Sequence, residues 1–160
     1  MRIVTMGVYG FDEEPFFAAL EAARIDLFVD TRRRRGLRGH EYAFANSQRL
    51  QDRLAEMGIP YVHRLDLAPS DVSIKAQDAF DHASGIGRRE RDHLTTAFTD
   101  AYQHDVLDGF DSRAFVDSLG PGIESVLIFC VEGAPTACHR GLLAARIAHD
   151  LDATVEHITP

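Results

Sequence analysis

Apolar positions along this chain alternate between short continuous runs and helical stripes. Ile3-Val4-Thr5-Met6 reads as a strand, followed by a glycine-bearing turn from Gly7 to Gly10. Phe16, Leu20 and Ala23 then recur at i, i+4 and i+7, which predicts a helix starting near Asp12 with Pro15 in its first turn. Leu27-Phe28-Val29 predicts a second strand ending at Asp30. After an arginine-rich loop, Asn46 or Ser47 can cap a helix that buries Leu50, Leu54 and Met57, with Gly58 as its left-handed stop. Tyr61-Val62 is a short third strand.

Residues 65–87 have mixed polarity and hold the breakers Pro69, Gly85 and Gly87, and the pattern assigns no element there. Arg88 to His104 reads as a helix with Leu94, Ala97, Phe98, Ala101 and Tyr102 on one face. Asp111 is placed to cap a short helix carrying Phe115 and Leu119. Val126 to Phe129 is a fourth strand, Gly141 to Asp150 a helix, and Thr154 to Ile158 a fifth strand. This alternation predicts a single α/β domain over residues 1–160: a mostly parallel sheet of about five strands with helices on both faces, Rossmann-like.

Composition narrows the class. A hydrophobic fraction of 45% in 160 residues is enough for a real core and excludes a disordered chain. No apolar run approaches the roughly 20 residues of a membrane span, and the N-terminus reads as a strand rather than a signal peptide. With only two cysteines and no export signal, the expectation is a cytoplasmic protein with reduced thiols and no membrane partner. A net charge of −8 opposes nonspecific nucleic-acid binding. The dense patch Arg32-Arg33-Arg34-Arg35-Gly36-Leu37-Arg38 dissents. Because Lys75 is the only lysine among 17 basic residues, that patch reads equally as a solvated loop or an anion contact.

Chemistry concentrates in Cys130-Val-Glu132-Gly-Ala-Pro135-Thr-Ala-Cys138-His139-Arg140, a strand-to-helix turn. Ligands of open parallel sheets bind outside the carboxyl ends of the strands. A thiol at a helix N-terminus beside His and Arg is a candidate nucleophile, so Cys138 stands first among the catalytic candidates. Glu132 and Asp30 are candidates for proton transfer, and His139 for acid–base work. Arg32 and Arg140, with Gly7 and Thr5 at the end of the first strand, form the candidate anion-binding set. Each has a plainer reading: a packed thiol, a turn-bound carboxylate, an anchor for the loop.

No cofactor is expected. Cys130, Cys138 and His139 are a weaker alternative as zinc ligands, since no Cys-x-x-Cys or His-x₃-His spacing exists and the run Pro135-Thr-Ala-Cys138 lacks the first cysteine of a zinc deaminase. A Cys-x₅-Arg phosphatase loop fails because residue 136 is Thr.

Four segments resemble the family known as domain of unknown function 488: Thr5-Met-Gly7, Leu27-Phe-Val-Asp30-Thr-Arg32, Gly58-Ile-Pro-Tyr61, and Cys130-Val-Glu132 with Cys138-His139-Arg140. Val155-Glu-His157-Ile158 is similar to its ending. The resemblance implies a compact α/β domain with a polar pocket at the strand ends, and implies no activity. The chain departs from the pattern at Arg33-Arg34-Arg35 and at Leu65-Asp66-Leu67-Ala68-Pro69, where many members carry Leu-Gly-Gly.

Three functions fit these residues. The first is a thiol-dependent enzyme acting on a small phosphate- or nucleotide-bearing anion. The second is a noncatalytic nucleotide or nucleic-acid binding module using the Arg-rich loop, with Tyr42 and Phe44 to stack on bases. The third is a redox-labile pair, Cys130 and Cys138. Substrate and oligomeric state are not encoded in any motif.

Overall fold

The structure, a computed structural model, describes residues 1–160. Five strands form one all-parallel sheet: β1 (Arg2–Met6), β2 (Leu27–Asp30), β3 (Tyr61–His63), β4 (Ser125–Phe129) and β5 (Thr154–Ile158), in the order β3-β2-β4-β1-β5. The central strands β1, β2 and β4 bury side chains on both faces. Their continuous apolar runs suit such strands, which have no solvent side to demand alternation.

Helices cover both faces. α1 (Glu13–Ala23) and α2 (Ser47–Glu56) place Phe16, Phe17, Leu20, Leu50 and Leu54 against Val4, Met6, Phe28, Leu127 and Phe129. On the opposite face α4 (Thr96–Tyr102), α5 (Ser112–Ser118) and α6 (His139–Leu151) bring Phe98, Tyr102, Phe115, Leu143 and Ile147 onto Ile3, Val29, Val126 and Ile128. Each such Leu, Ile or Phe contributes about 1.5–3 kcal/mol on burial.

Capping explains several of the boundaries. Asp111 accepts from Ala114 N at 2.9 Å to start α5, and Gly58, with φ of 70°, follows the end of α2 as expected. Asn46 stands at the α2 N-cap, but its side chain accepts from Leu37 N at 2.6 Å and so ties down the Arg-rich loop instead.

Two sequence expectations are corrected in the middle of the chain. The helix expected over 88–104 is shorter. Thr95 accepts from Phe98 N and caps α4 there, while Arg88 to Glu90 form a 3₁₀ turn and Gln103 to Leu107 continue α4 as a π turn. Within 65–87, where no element was expected, α3 runs from Asp71 to Ala83 with Ser70 as its side-chain cap. Its buried stripe is Ser73, Gln77 and Asp81, a helical spacing of polar residues that a search for apolar periodicity passes over.

Register decides where the site lies. Asp30 and Met6 both pair with Phe129, so the three central strands end abreast. The residues that follow, Thr31, Gly7 and Cys130, therefore emerge along one rim. The helix after β2 covers one face and the helix after β4 the other, which opens a crevice between the ends of these two neighbouring strands.

Candidate active site

Both thiols and the imidazole meet in that crevice. Cys130 ends β4, Cys138 precedes α6, and His139 opens it; all three are buried. His139 Nδ1 lies 3.7 Å from Cys130 Sγ and 3.8 Å from Cys138 Sγ. Its other nitrogen, Nε2, is 3.1 Å from Thr31 Oγ1. The Thr31 hydroxyl spends its single proton on the Phe129 carbonyl at 2.9 Å. It can therefore only accept from His139 Nε2, so Nε2 carries a proton and Nδ1 is the nitrogen turned to both sulfurs. Thr31 was not singled out from the sequence, and only this geometry exposes its part.

The two thiols differ in their surroundings. Burial pushes the Cys130 thiol well above its ordinary range, with Cys138 and Glu132 adding to that, and Cys130 donates to Glu132 Oε2 at 3.5 Å. Burial also acts to raise Cys138. There it is outweighed by the neighbouring Cys130 and by Arg140 and His139, which together hold Cys138 well below the usual thiol range.

Glu132 is buried beside them. Its Oε1 accepts from Arg88 Nε and NH2, both at 3.2 Å, and from Arg91 NH1 at 3.4 Å. Burial raises its carboxyl above the ordinary value, Cys138 adds to the rise, and Arg88 opposes it. A carboxyl whose pKa is raised on folding stabilises the fold fully below its unfolded value, and that contribution disappears as pH rises through the folded one. Burying the Glu132 carboxyl thus costs stability at neutral pH. Glu132→Gln keeps an oxygen toward Arg88 and Arg91, so the variant is expected to melt higher than wild type at neutral pH. The advantage should shrink as pH falls toward the ordinary glutamate range, in paired thermal melts.

Other sequence candidates serve the frame around this cluster. Asp30 is fully buried; it accepts from Arg32 Nε at 2.9 Å, Arg32 NH2 at 2.8 Å, Arg32 N at 3.0 Å and Tyr61 Oη at 2.8 Å. Arg32 also donates to the Ala45 carbonyl and stacks over Phe129. Arg140 donates to the carbonyls of Glu132 and Gly133, pinning the loop that carries them. Gly7 packs beneath that loop, and Thr5 Oγ1 meets His157 Nδ1 at 2.7 Å. Of the proposed anion-binding set, only Arg32 lines the cavity above the thiols, and it is nearly wholly buried there.

That cavity measures about 470 Å³, with Cys130, Glu132, Cys138 and His139 among its lining. Its walls are cationic. Arg33, Arg34 and Arg38 come from the loop after β2, Lys75 from α3, and Arg88, Arg89 and Arg91 from the stretch before α4. Acidic partners occupy several of these: Arg34 pairs with Asp71, Arg89 with Glu41, and Arg91 with Asp78 and Asp81. Arg33, Arg38 and Lys75 pair with no carboxylate. The wall from residues 71–91 is invisible in the sequence, because Lys75 on α3 and the arginines of the turn that follows it reach the site only across the crevice. Of the aromatics after the loop, Phe44 lies in the core, and Tyr42 packs against Tyr9 beneath Arg89.

Cys130, Cys138 and His139 hold their sulfur and nitrogen atoms within 4.8 Å of one another, a donor set of the type that soft metals take. The surroundings oppose a divalent cation. The neighbouring carboxylate already answers Arg88 and Arg91, and Arg140 acts electrostatically on both sulfurs.

These features define a doubly wound α/β domain whose strand-end crevice carries a thiol–imidazole cluster under an arginine-walled cavity. The chain belongs to the family described as domain of unknown function DUF488, whose sequence model matches residues 13–147. That span holds β2, the Arg-rich loop, both cysteines and His139, and leaves out β1 and β5. No curated protein and no solved structure gave a significant match. No helix is long and apolar enough to cross a membrane.

Proposed function

We propose that this protein is a thiol-dependent enzyme acting on a small phosphate- or nucleotide-bearing anion, with Cys138 as nucleophile. The observation that carries this reading is Nδ1 of His139 facing Cys138 Sγ at 3.8 Å on the lining of a cationic cavity. His139 takes the thiol proton. Glu132, at the cavity wall with a raised carboxyl, is the group suited to deliver a proton to a leaving atom. The α6 N-terminus faces the same region and favours negative charge there.

Arg33, Arg38 and Lys75 hold the anion in this reading: none has a carboxylate partner, and Arg33 gives only its Nε to the Pro69 carbonyl, keeping its terminal nitrogens for the anion. Arg32 and Arg140, whose guanidinium groups are spent on Asp30 and on backbone carbonyls, maintain the walls. Asp30 anchors Arg32 rather than moving protons.

Alkylation of Cys138 by iodoacetamide, in a Cys130→Ser background with chelator present, tests this. The rate is expected to rise with a midpoint below the ordinary thiol value of about 8.5. Inorganic phosphate should protect the thiol, and Arg33→Ala or Arg38→Ala should each weaken protection about tenfold, the worth of one charge-assisted contact. An ordinary midpoint with no protection at any phosphate concentration overturns the proposal.

A further inference from the structure

Cys130 has no part in the chemistry proposed above, yet its sulfur lies within 4.8 Å of Cys138 Sγ and shares the same imidazole nitrogen. We infer that the two cysteines form a peroxide-driven thiol–disulfide switch, in which Cys138 is oxidised first and Cys130 resolves it. The inference rests on the reading of Cys138 as the working thiol and adds a means of turning that thiol off.

The steps balance. His139 Nδ1 accepts the Cys138 proton, and the thiolate attacks one oxygen of a hydroperoxide such as hydrogen peroxide. The O–O bond breaks, Cys138 becomes a sulfenic acid, and the departing hydroxide takes the proton from His139 as water. Cys130 Sγ, 3.7 Å from the same Nδ1, then attacks the Cys138 sulfur. A sulfur–sulfur bond forms, and the sulfenic oxygen leaves as a second water carrying the Cys130 proton. Two thiols lose two electrons and the peroxide gains them.

The assignment of roles follows from the surroundings. Cys138 precedes α6 and feels Arg140 and His139, whereas Cys130 donates its proton to Glu132 and is held protonated by burial. A protonated thiol is a poor first attacker on peroxide and an adequate second one once an imidazole can take its proton.

The intervening loop is already held in place. Arg140 grips the Glu132 and Gly133 carbonyls, Thr136 Oγ1 donates to the Asp92 carbonyl at 2.6 Å, and Ala137 N donates to the Ala134 carbonyl. Closing the bond therefore calls mainly on the two side chains, whose sulfurs already face each other across one nitrogen. The cavity admits the small oxidant, and the disulfide removes the nucleophile until an external thiol restores it.

The full chain, reduced and freed of metal by chelator, is treated with a small excess of hydrogen peroxide and analysed by intact mass and non-reducing peptide mapping. Wild type is expected to lose the mass of two hydrogens in a Cys130–Cys138 linkage that dithiothreitol reverses. Cys130→Ser is expected to gain one oxygen at Cys138, trapped by dimedone. If wild type only gains oxygen, or stays unchanged while iodoacetamide still alkylates Cys138, the switch is wrong and the proposed thiol chemistry stands. If neither reagent modifies Cys138, both readings fall. The wild-type measurement decides the matter even where the variant does not fold.

Discussion

Asp30→Ala is expected to destabilise the protein by about 3–5 kcal/mol, the usual cost of removing one partner from a buried ion pair. The Arg32 guanidinium is almost completely buried, and Asp30 is its only carboxylate. Without Asp30, the charge stays desolvated and the Tyr61 hydroxyl loses its acceptor. Burial, opposed by the hydrogen bond from Arg35 and reinforced by Asp30, pushes that hydroxyl up to about 12, so at neutral pH it remains a donor with nothing to donate to. Urea unfolding measures the loss. The double variant Asp30→Leu with Arg32→Met removes both charges and should recover most of it, since apolar replacement of a whole buried pair is often neutral. A single variant within about 1 kcal/mol of wild type would mean that Asp30 is not the anchor assigned here.

Gly7→Ala should be the other severe substitution, although it adds one methyl group. The new Cβ would sit 1.7 Å from the Glu132 carbonyl oxygen, 2.7 Å from its carbonyl carbon and 3.2 Å from an Arg140 nitrogen. The first two are backbone atoms, so no side-chain rotation relieves them. Overpacking a core typically costs about 1–3 kcal/mol, and this contact belongs at or beyond the upper end. The loop must move to make room, taking Glu132 with it and breaking the Arg140 bonds to Glu132 and Gly133. The variant should therefore lose both melting temperature and phosphate protection of Cys138. A fully stable Gly7→Ala protein would refute the close approach.

Much of the architecture was legible in the chain. The strands β1, β2 and β4 are short apolar runs, and α1 and α2 are apolar stripes of helical period, because burial on two faces or one leaves those patterns. The turn holding Cys130, Glu132, Cys138 and His139 was legible too, since a strand-to-helix junction in a parallel sheet is a known place for ligands. α3 was not. Its inward residues are Ser73, Gln77 and Asp81, held by hydrogen bonds rather than apolar contact: Ser73 with Ser70, and Gln77 and Arg91 both donating to Asp81. The only local sign was Ser70 after Pro69, a cap without a stripe behind it.

Taken by itself, the sequence determined the class of fold and the placing of Cys130, Cys138 and His139 in one strand-to-helix turn, because hydrophobic period and turn chemistry are local properties. Which arginines face the cavity and which are spent on the frame was decided only by tertiary structure. Arg32 and Arg140 share the motif's neighbourhood but turn their guanidinium groups to Asp30 and to loop carbonyls. Arg88 and Arg91, more than 40 residues away along the chain, bond to Glu132 instead. The tautomer of His139 likewise depends on Thr31, 108 positions distant, and on the carbonyl that takes its proton. A guanidinium or a hydroxyl acts on whatever acceptor the fold brings within reach, and sequence spacing holds no record of that.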